Sequence, residues 1–78
     1  MTNEEIFAKL KEVLALVKPQ VDQSKISMDS SLVMDLGIDS LSMLLMSLAI
    51  EQKFNFQFNA TKPFNTVRDV VEHIAQAI

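Results

Sequence analysis

Apolar residues recur at steps of three and four at Ile6, Phe7, Leu10, Val13, Leu14 and Val17, while Glu4, Lys9, Lys11 and Glu12 fall on the other side. That spacing predicts an amphipathic helix over residues 3 to 17. Thr2 and Glu5 stand at the spacing of a capping box, and Pro19 supplies the stop. A second pattern, Val67, Val70, Val71, Ile74, Ala77 and Ile78, follows Thr66 and Asp69 at the same capping spacing and predicts a terminal helix.

Between these two helices the pattern changes twice. Residues 18 to 39 carry single apolar residues, Val21, Ile26, Met28, Leu32, Val33 and Leu36, punctuated by Ser, Asp and Lys, with no sustained period. Connections this long are uncommon in small domains and are often functional, and the isolated apolar residues are expected to pin this one to a helical bundle. Gly37, the chain's only glycine, closes the loop, where the lack of a Cβ favours a sharp turn into the next helix. From Leu41 to Phe54 the composition is helical, yet Leu41, Met43, Leu44, Leu45, Met46, Leu48, Ala49 and Ile50 surround the axis instead of forming one stripe. A small bundle cannot bury a helix on every side, so part of that surface is expected to be exposed or covered by something else. Phe54 to Phe58 alternates apolar and polar residues, consistent with a short extended piece, and Asn59 to Pro63 leaves room for at most one short turn of helix. No internal repeat, linker or second domain is visible, so residues 1 to 78 read as one all-α domain of three to four helices.

Composition narrows the function. A chain of 78 residues buries only about 60% of its unfolded surface, which leaves little room for a deep catalytic pocket. Its charge of −3 and scattered Lys and Arg residues argue against a nucleic-acid partner. The absence of cysteine excludes disulfides and thiolate metal sites and suits a reducing, cytoplasmic setting. No apolar run approaches the roughly 20 residues of a membrane span, and Met1-Thr2-Asn3-Glu4-Glu5 is not the basic start of a signal peptide.

The candidate chemistry lies in Leu36-Gly37-Ile38-Asp39-Ser40-Leu41, which sets a turn, an acid and a hydroxyl at the mouth of the apolar helix. On residue types alone this is a helix start, since Ser and Asp are the commonest N-caps. The stretch Asp35 to Leu41, however, resembles the phosphopantetheine attachment motif of acyl carrier proteins, whose core is Asp-Ser-Leu after a Gly-containing turn. The resemblance extends over nearly the whole chain: a capped first helix, a long loop, a serine at the second helix, Glu51-Gln52-Lys53-Phe54 at that helix's end and Thr66-Val67 opening the last.

The resemblance implies that Ser40 accepts 4'-phosphopantetheine from coenzyme A through a phosphopantetheinyl transferase, with Asp39 helping the transferase recognise the site. The arm then carries acyl groups as thioesters to acyl-loading, condensing or acyl-transfer enzymes of fatty acid, polyketide or specialised lipid synthesis. It also implies a carrier without catalysis of its own and an acyl cavity lined by Met43, Met46, Ile50, Phe58 and Phe64, while the chain itself is expected to be a monomer that meets its partners through Leu41, Leu44, Leu45, Leu48 and Glu51. The chain departs from the common pattern in two places. Ser42 and Leu45 stand where carboxylates are usual, which points to apolar partner contacts and a specialised pathway. The segment before the last helix is slightly short and contains Pro63, so a reduced third helix is expected. A rival reading is an unmodified helical interaction module in which Ser40 is merely a cap. Ser40 with His73 as a hydrolase dyad lacks the Gly-x-Ser-x-Gly elbow, and His73 is expected at the surface edge of the last helix's apolar face. Asp29, Asp35 and Asp39 match no calcium loop and read as solvated loop charge.

Overall fold

Thr2 opens the first helix, α1 (Asn3–Val17), by accepting the Glu5 amide on its hydroxyl while the Glu5 carboxylate accepts the Thr2 amide in return. This reciprocal pair satisfies two of the donors that every helix start leaves unpaired. The computed structural model describes residues 1–58 and 64–78. α1 ends as the sequence predicts: the Lys18 amide still reaches the Leu14 carbonyl at 2.7 Å, but Pro19 holds Lys18 out of the helical region. Two further helices follow among the described residues, α2 (Ser40–Phe54) and α3 (Val67–Ala77), and both pack on α1. The expected all-α bundle is therefore present. The reduced third helix expected near Asn59 to Pro63 lies outside the described residues.

One core joins the helices, with Ile6, Leu10, Val13 and Leu14 of α1 meeting Met46 and Ile50 of α2 and Val67, Val70, Val71 and Ile74 of α3. Ala77 and Ile78, read as part of α3's apolar face, are exposed, because the helix runs past the end of the core. The capping box predicted for α3 forms. Thr66 Oγ1 accepts the Asp69 amide at 3.3 Å, and Asp69 Oδ2 accepts the amides of Thr66 and Asn65 at 3.1 and 2.9 Å.

The long connection is ordered by the start of α3. Ser31 and Thr66 form an isolated antiparallel bridge: Leu32 donates its amide to Asn65 O, and the Val67 and Arg68 amides donate to Ser30 O and Met28 O. The loop thus supplies carbonyls to a helix end that would otherwise be unsatisfied. The Arg68 guanidinium also pairs with Asp29, which reads that carboxylate as a clamp on the loop. Ile26, Leu32 and Leu36 are buried as expected, with Val21 and Met28 partly so. Val33 is the exception at 65% exposure. Residues 31 to 36 form a tight turn in which the Asp35 and Leu36 amides both reach Ser31 O, so Leu32 and Leu36 face inward and Val33 and Met34 outward.

The Phe54–Phe58 stretch is not an extended strand. α2 continues through Phe54, Asn55 then takes a left-handed conformation at φ 58°, and the turn brings Phe58 back into the core. Asparagine tolerates that conformation better than most residues, which makes it a suitable helix terminator.

Candidate functional site

The turn ahead of α2 is built by hydrogen bonds that tighten around Gly37. The Gly37 amide donates to Val33 O and the Ile38 amide to Leu32 O, at 3.1 and 2.8 Å. Gly37 itself sits at φ +67°, where side chains other than glycine's are strained, and Ile38 is buried behind it. The chain is thereby aimed so that residue 39 enters α2 from an extended conformation.

Asp39, not Ser40, caps the helix. Its Oδ1 accepts the Ser42 amide at 2.8 Å and its carbonyl accepts the Met43 amide at 2.8 Å. The Ser42 amide is the main cause that holds the Asp39 carboxyl below the ordinary carboxylate range. Ser40 is the first helical residue, is exposed, and has a hydroxyl that makes no hydrogen bond with any described residue. The alternative in which Ser40 serves as the cap is therefore corrected, because the neighbouring carboxylate already fills that place. The amides of Ser40 and Leu41 likewise donate to no described acceptor. An exposed hydroxyl thus lies beside two free N–H groups at the positive end of a helix, an arrangement compatible with an attached phosphodiester.

α2 resolves its all-round apolarity into two opposed faces. Met46, Ile50 and Phe54 point into the core, and the two buried serines beside them are accommodated locally, Ser47 Oγ donating to Leu44 O at 2.7 Å. Leu41, Leu44, Leu45 and Leu48 point outward and are 66%, 53%, 48% and 51% exposed. Glu51, expected beside them, is half-buried, and its Oε1 accepts the Phe58 amide at 3.3 Å.

The five expected cavity residues occupy different settings. Met46 and Ile50 are fully buried and Met43 is half-buried. Phe58 and Phe64 stack at 5.3 Å between centroids, and both meet His73 edge-on at 5.3 and 5.4 Å. His73, half-buried on α3, thus joins this aromatic cluster at the edge of the helix's apolar face, the position expected from sequence. None of the five lines the surface groove between Gln20 and Leu36 or the one beside Leu48 and Phe56. The latter, bounded by Leu48, Glu51, Gln52, Asn55, Phe56 and Gln57, was missed by sequence reading because its Asn55 turn and returning aromatic are not a periodic feature.

Among the described residues no group of three or more His, Cys, Asp or Glu side chains is placed to hold a metal ion, and no helix is long and apolar enough to cross a membrane. Comparison with known proteins agrees with the geometry. The family model described as phosphopantetheine attachment site matches residues 4–74, a span that contains the loop, the Ser40 turn, α2 and most of α3. An acyl carrier protein of Coprothermobacter proteolyticus is 40% identical over 76 residues, covering 95% of this chain and 92% of that protein. Those of Clostridium perfringens and Treponema denticola are 37% and 34% identical over 73 residues, each covering 91% of this chain and 95% and 92% of their own lengths. With a family match over most of its length and relatives of nearly equal extent, the chain belongs to the acyl carrier proteins.

Proposed function

We propose that Ser40 is the residue to which the family's 4'-phosphopantetheine group is joined, as a phosphodiester formed on its Oγ by a transferase that draws on coenzyme A. The observation that carries this reading is the division of labour at the helix start. Asp39 performs the structural task, so the Ser40 hydroxyl is exposed, unbonded and free for chemistry. When attached, the arm supplies a thiol that holds an acyl group as a thioester, which a chain without cysteine does not offer. The residues of the chain contribute the anchor, two free amides beside it and an exposed approach.

In this reading Asp39 also marks the site for the transferase, and acyl-loading, condensing or acyl-transfer enzymes meet the carrier along the outer face of α2. The cysteine-free sequence fits a cytoplasmic carrier. Met43, Met46, Ile50, Phe58 and Phe64 are proposed to shelter the acyl chain, supported by the adaptable shape of two methionines and by the aromatic pair next to them.

Intact mass before and after incubation with coenzyme A, magnesium and a broad-specificity phosphopantetheinyl transferase tests the assignment. Wild type is expected to gain one phosphopantetheine and Ser40→Ala none. Because Ser40 is not the cap, Ser40→Ala is expected to keep a Tm within about 2 °C of wild type, so loss of modification will not be loss of fold. A mass gain on folded Ser40→Ala protein would place the attachment elsewhere.

A further inference from the structure

The long loop folds back on itself and leaves a groove of about 550 Å³ between the 20–26 segment and the 31–36 turn. That volume lies within the range of small-molecule sites. Val21, Ile26 and Leu36 form its apolar part, and Gln20, Lys25 and Asp35 stand among its polar walls. Asp22 Oδ1 accepts the amide and hydroxyl of Ser24, and Asp35 Oδ2 accepts the Ser31 amide at 2.6 Å, so each wall carboxylate is fixed by one oxygen and keeps the other spare among the described residues. The side chains of Gln20 and Lys25 make no hydrogen bond or ion pair with any described residue. The groove thus combines an apolar floor with donors and acceptors that the fold does not use.

The groove lies within reach of Ser40. On one side the Val21 amide donates to Lys18 O at 3.1 Å, and the Asp39 carboxyl, lowered chiefly by the Ser42 amide, is lowered also by the charge of Lys18. The 18–21 turn therefore runs from the start of α2 to the groove. On the other side, the backbone from Leu36 to Ser40 spans at most about 14 Å. A phosphopantetheine arm has more bonds in line than that stretch of backbone. Beyond its phosphate the arm is uncharged, with a dimethyl segment, a hydroxyl and two amides, which is the mixture the groove offers partners for. A long acyl chain has none of these polar groups and would leave the walls dry and unpaired.

Resting on the attachment at Ser40, we propose that the loop groove is the resting site of the unacylated arm, with the dimethyl segment against Val21 and Leu36 and the amides held by Gln20, Lys25 and the spare oxygen of Asp35. Lys25 and the Gln20 amide donate to the arm's carbonyls, and an arm N–H donates to Asp35 Oδ1. The groove then separates the empty carrier from the loaded one by polarity. The bare arm lies along the loop with its thiol withdrawn, and an acyl group draws the arm away toward apolar surroundings.

The test compares apo protein with holo protein, made with coenzyme A and the transferase and verified by mass, in amide NMR spectra and in cross-relaxation between the arm's methyl groups and those of the protein. The amides of residues 20–26, 35 and 36 are expected to shift together with those beside the phosphate at 39–42, and the arm's methyls to contact Val21 and Leu36. The double variant Gln20→Ala, Lys25→Ala removes two side chains without a partner among the described residues, so its Tm is expected to stay within about 2 °C of wild type. Its arm contacts are expected to weaken, and iodoacetamide is expected to alkylate its thiol about threefold faster than that of wild-type holo protein, because the released fraction of the arm sets the rate. Shifts confined to residues 38–43 on holo protein, or equal alkylation of wild type and variant, overturn the resting site while the attachment stands. Absence of any mass gain on folded wild-type protein overturns the attachment at Ser40, and the resting site with it.

Discussion

α3 and α2 begin alike and diverge in what they do with their apolar residues. Each opens on a side-chain cap, Thr66 with Asp69 in one case and Asp39 in the other. α3 then places Val67, Val70, Val71 and Ile74 on one buried face and gives Arg68, Glu72 and Gln76 to solvent. α2 buries Met46, Ile50 and Phe54 and still sets four leucines on the opposite side, where no other described element covers them. The first pattern is explained entirely by folding. The second is not, since four exposed leucines on one helix contribute little to the fold and carry a standing risk of non-specific association. Apolar surface that the fold does not use is where an external contact is to be sought, and here it begins at the one exposed, unbonded hydroxyl of the helix start.

The comparison is broken most directly by truncating a buried residue from each helix. Ile74→Ala in α3 and Ile50→Ala in the inner face of α2 each leave a cavity in the shared core and are expected to cost about 2–5 kcal/mol in denaturant unfolding. A domain of this size has little stability in reserve, so either variant is expected to be substantially unfolded at 37 °C. Equal losses at the two sites would place α2's inner face on the same footing as α3. A loss at Ile50 below about 1 kcal/mol would mean that α2 is held loosely and that its two faces are less distinct than described.

The caps give a smaller and pH-dependent difference. Asp69 is held below its ordinary carboxylate range first by the Asn65 amide and then by that of Thr66, whereas Asp39 is held chiefly by Ser42 alone. Glu5 is shifted the same way by the Thr2 amide. A carboxylate whose folded pKa lies below its unfolded one binds its proton more weakly in the native state. Its contribution is therefore complete above the unfolded pKa, near 4, and is lost as pH falls through the folded value. Thermal melts are expected to be flat from about pH 7 to 5 and to fall below about pH 4. Asp69→Asn is expected to flatten that fall more than Asp39→Asn does, and the reverse order would make the α2 cap the stronger of the two.

Much of this was legible from the pattern of residues alone. The bounds of α1, both capping boxes and the tight turn at Gly37 follow from local rules, because a cap or a left-handed glycine is decided by residues three or four apart. The position of Val33 was not legible, since it depends on a turn closed by Ser31 carbonyl bonds that no period announces. The fate of Phe58 was lost for a similar reason: an alternating string reads as strand until Asn55 reverses the chain and Glu51 takes the Phe58 amide. At the candidate site the sequence supplied the residues and the geometry supplied their roles. Asp and Ser are interchangeable as caps in principle, and only the Asp39–Ser42 bond decides that the acid is structural and the hydroxyl spare.

The smallest expected effect bears hardest on the comparison. Leu44→Gln exchanges one good helix former for another of similar length, removes no buried contact from the described core and introduces no charge. If the outer face of α2 is unused by the fold, its unfolding free energy is expected to stay within about 0.5 kcal/mol of wild type, with an unchanged denaturant slope. No residue of α3's buried face can behave in that way, because there every apolar group serves the core. A loss of 1 kcal/mol or more from Leu44→Gln would mean instead that the outer leucines are covered from within the chain, and α2 would become a core helix of the same kind as α3.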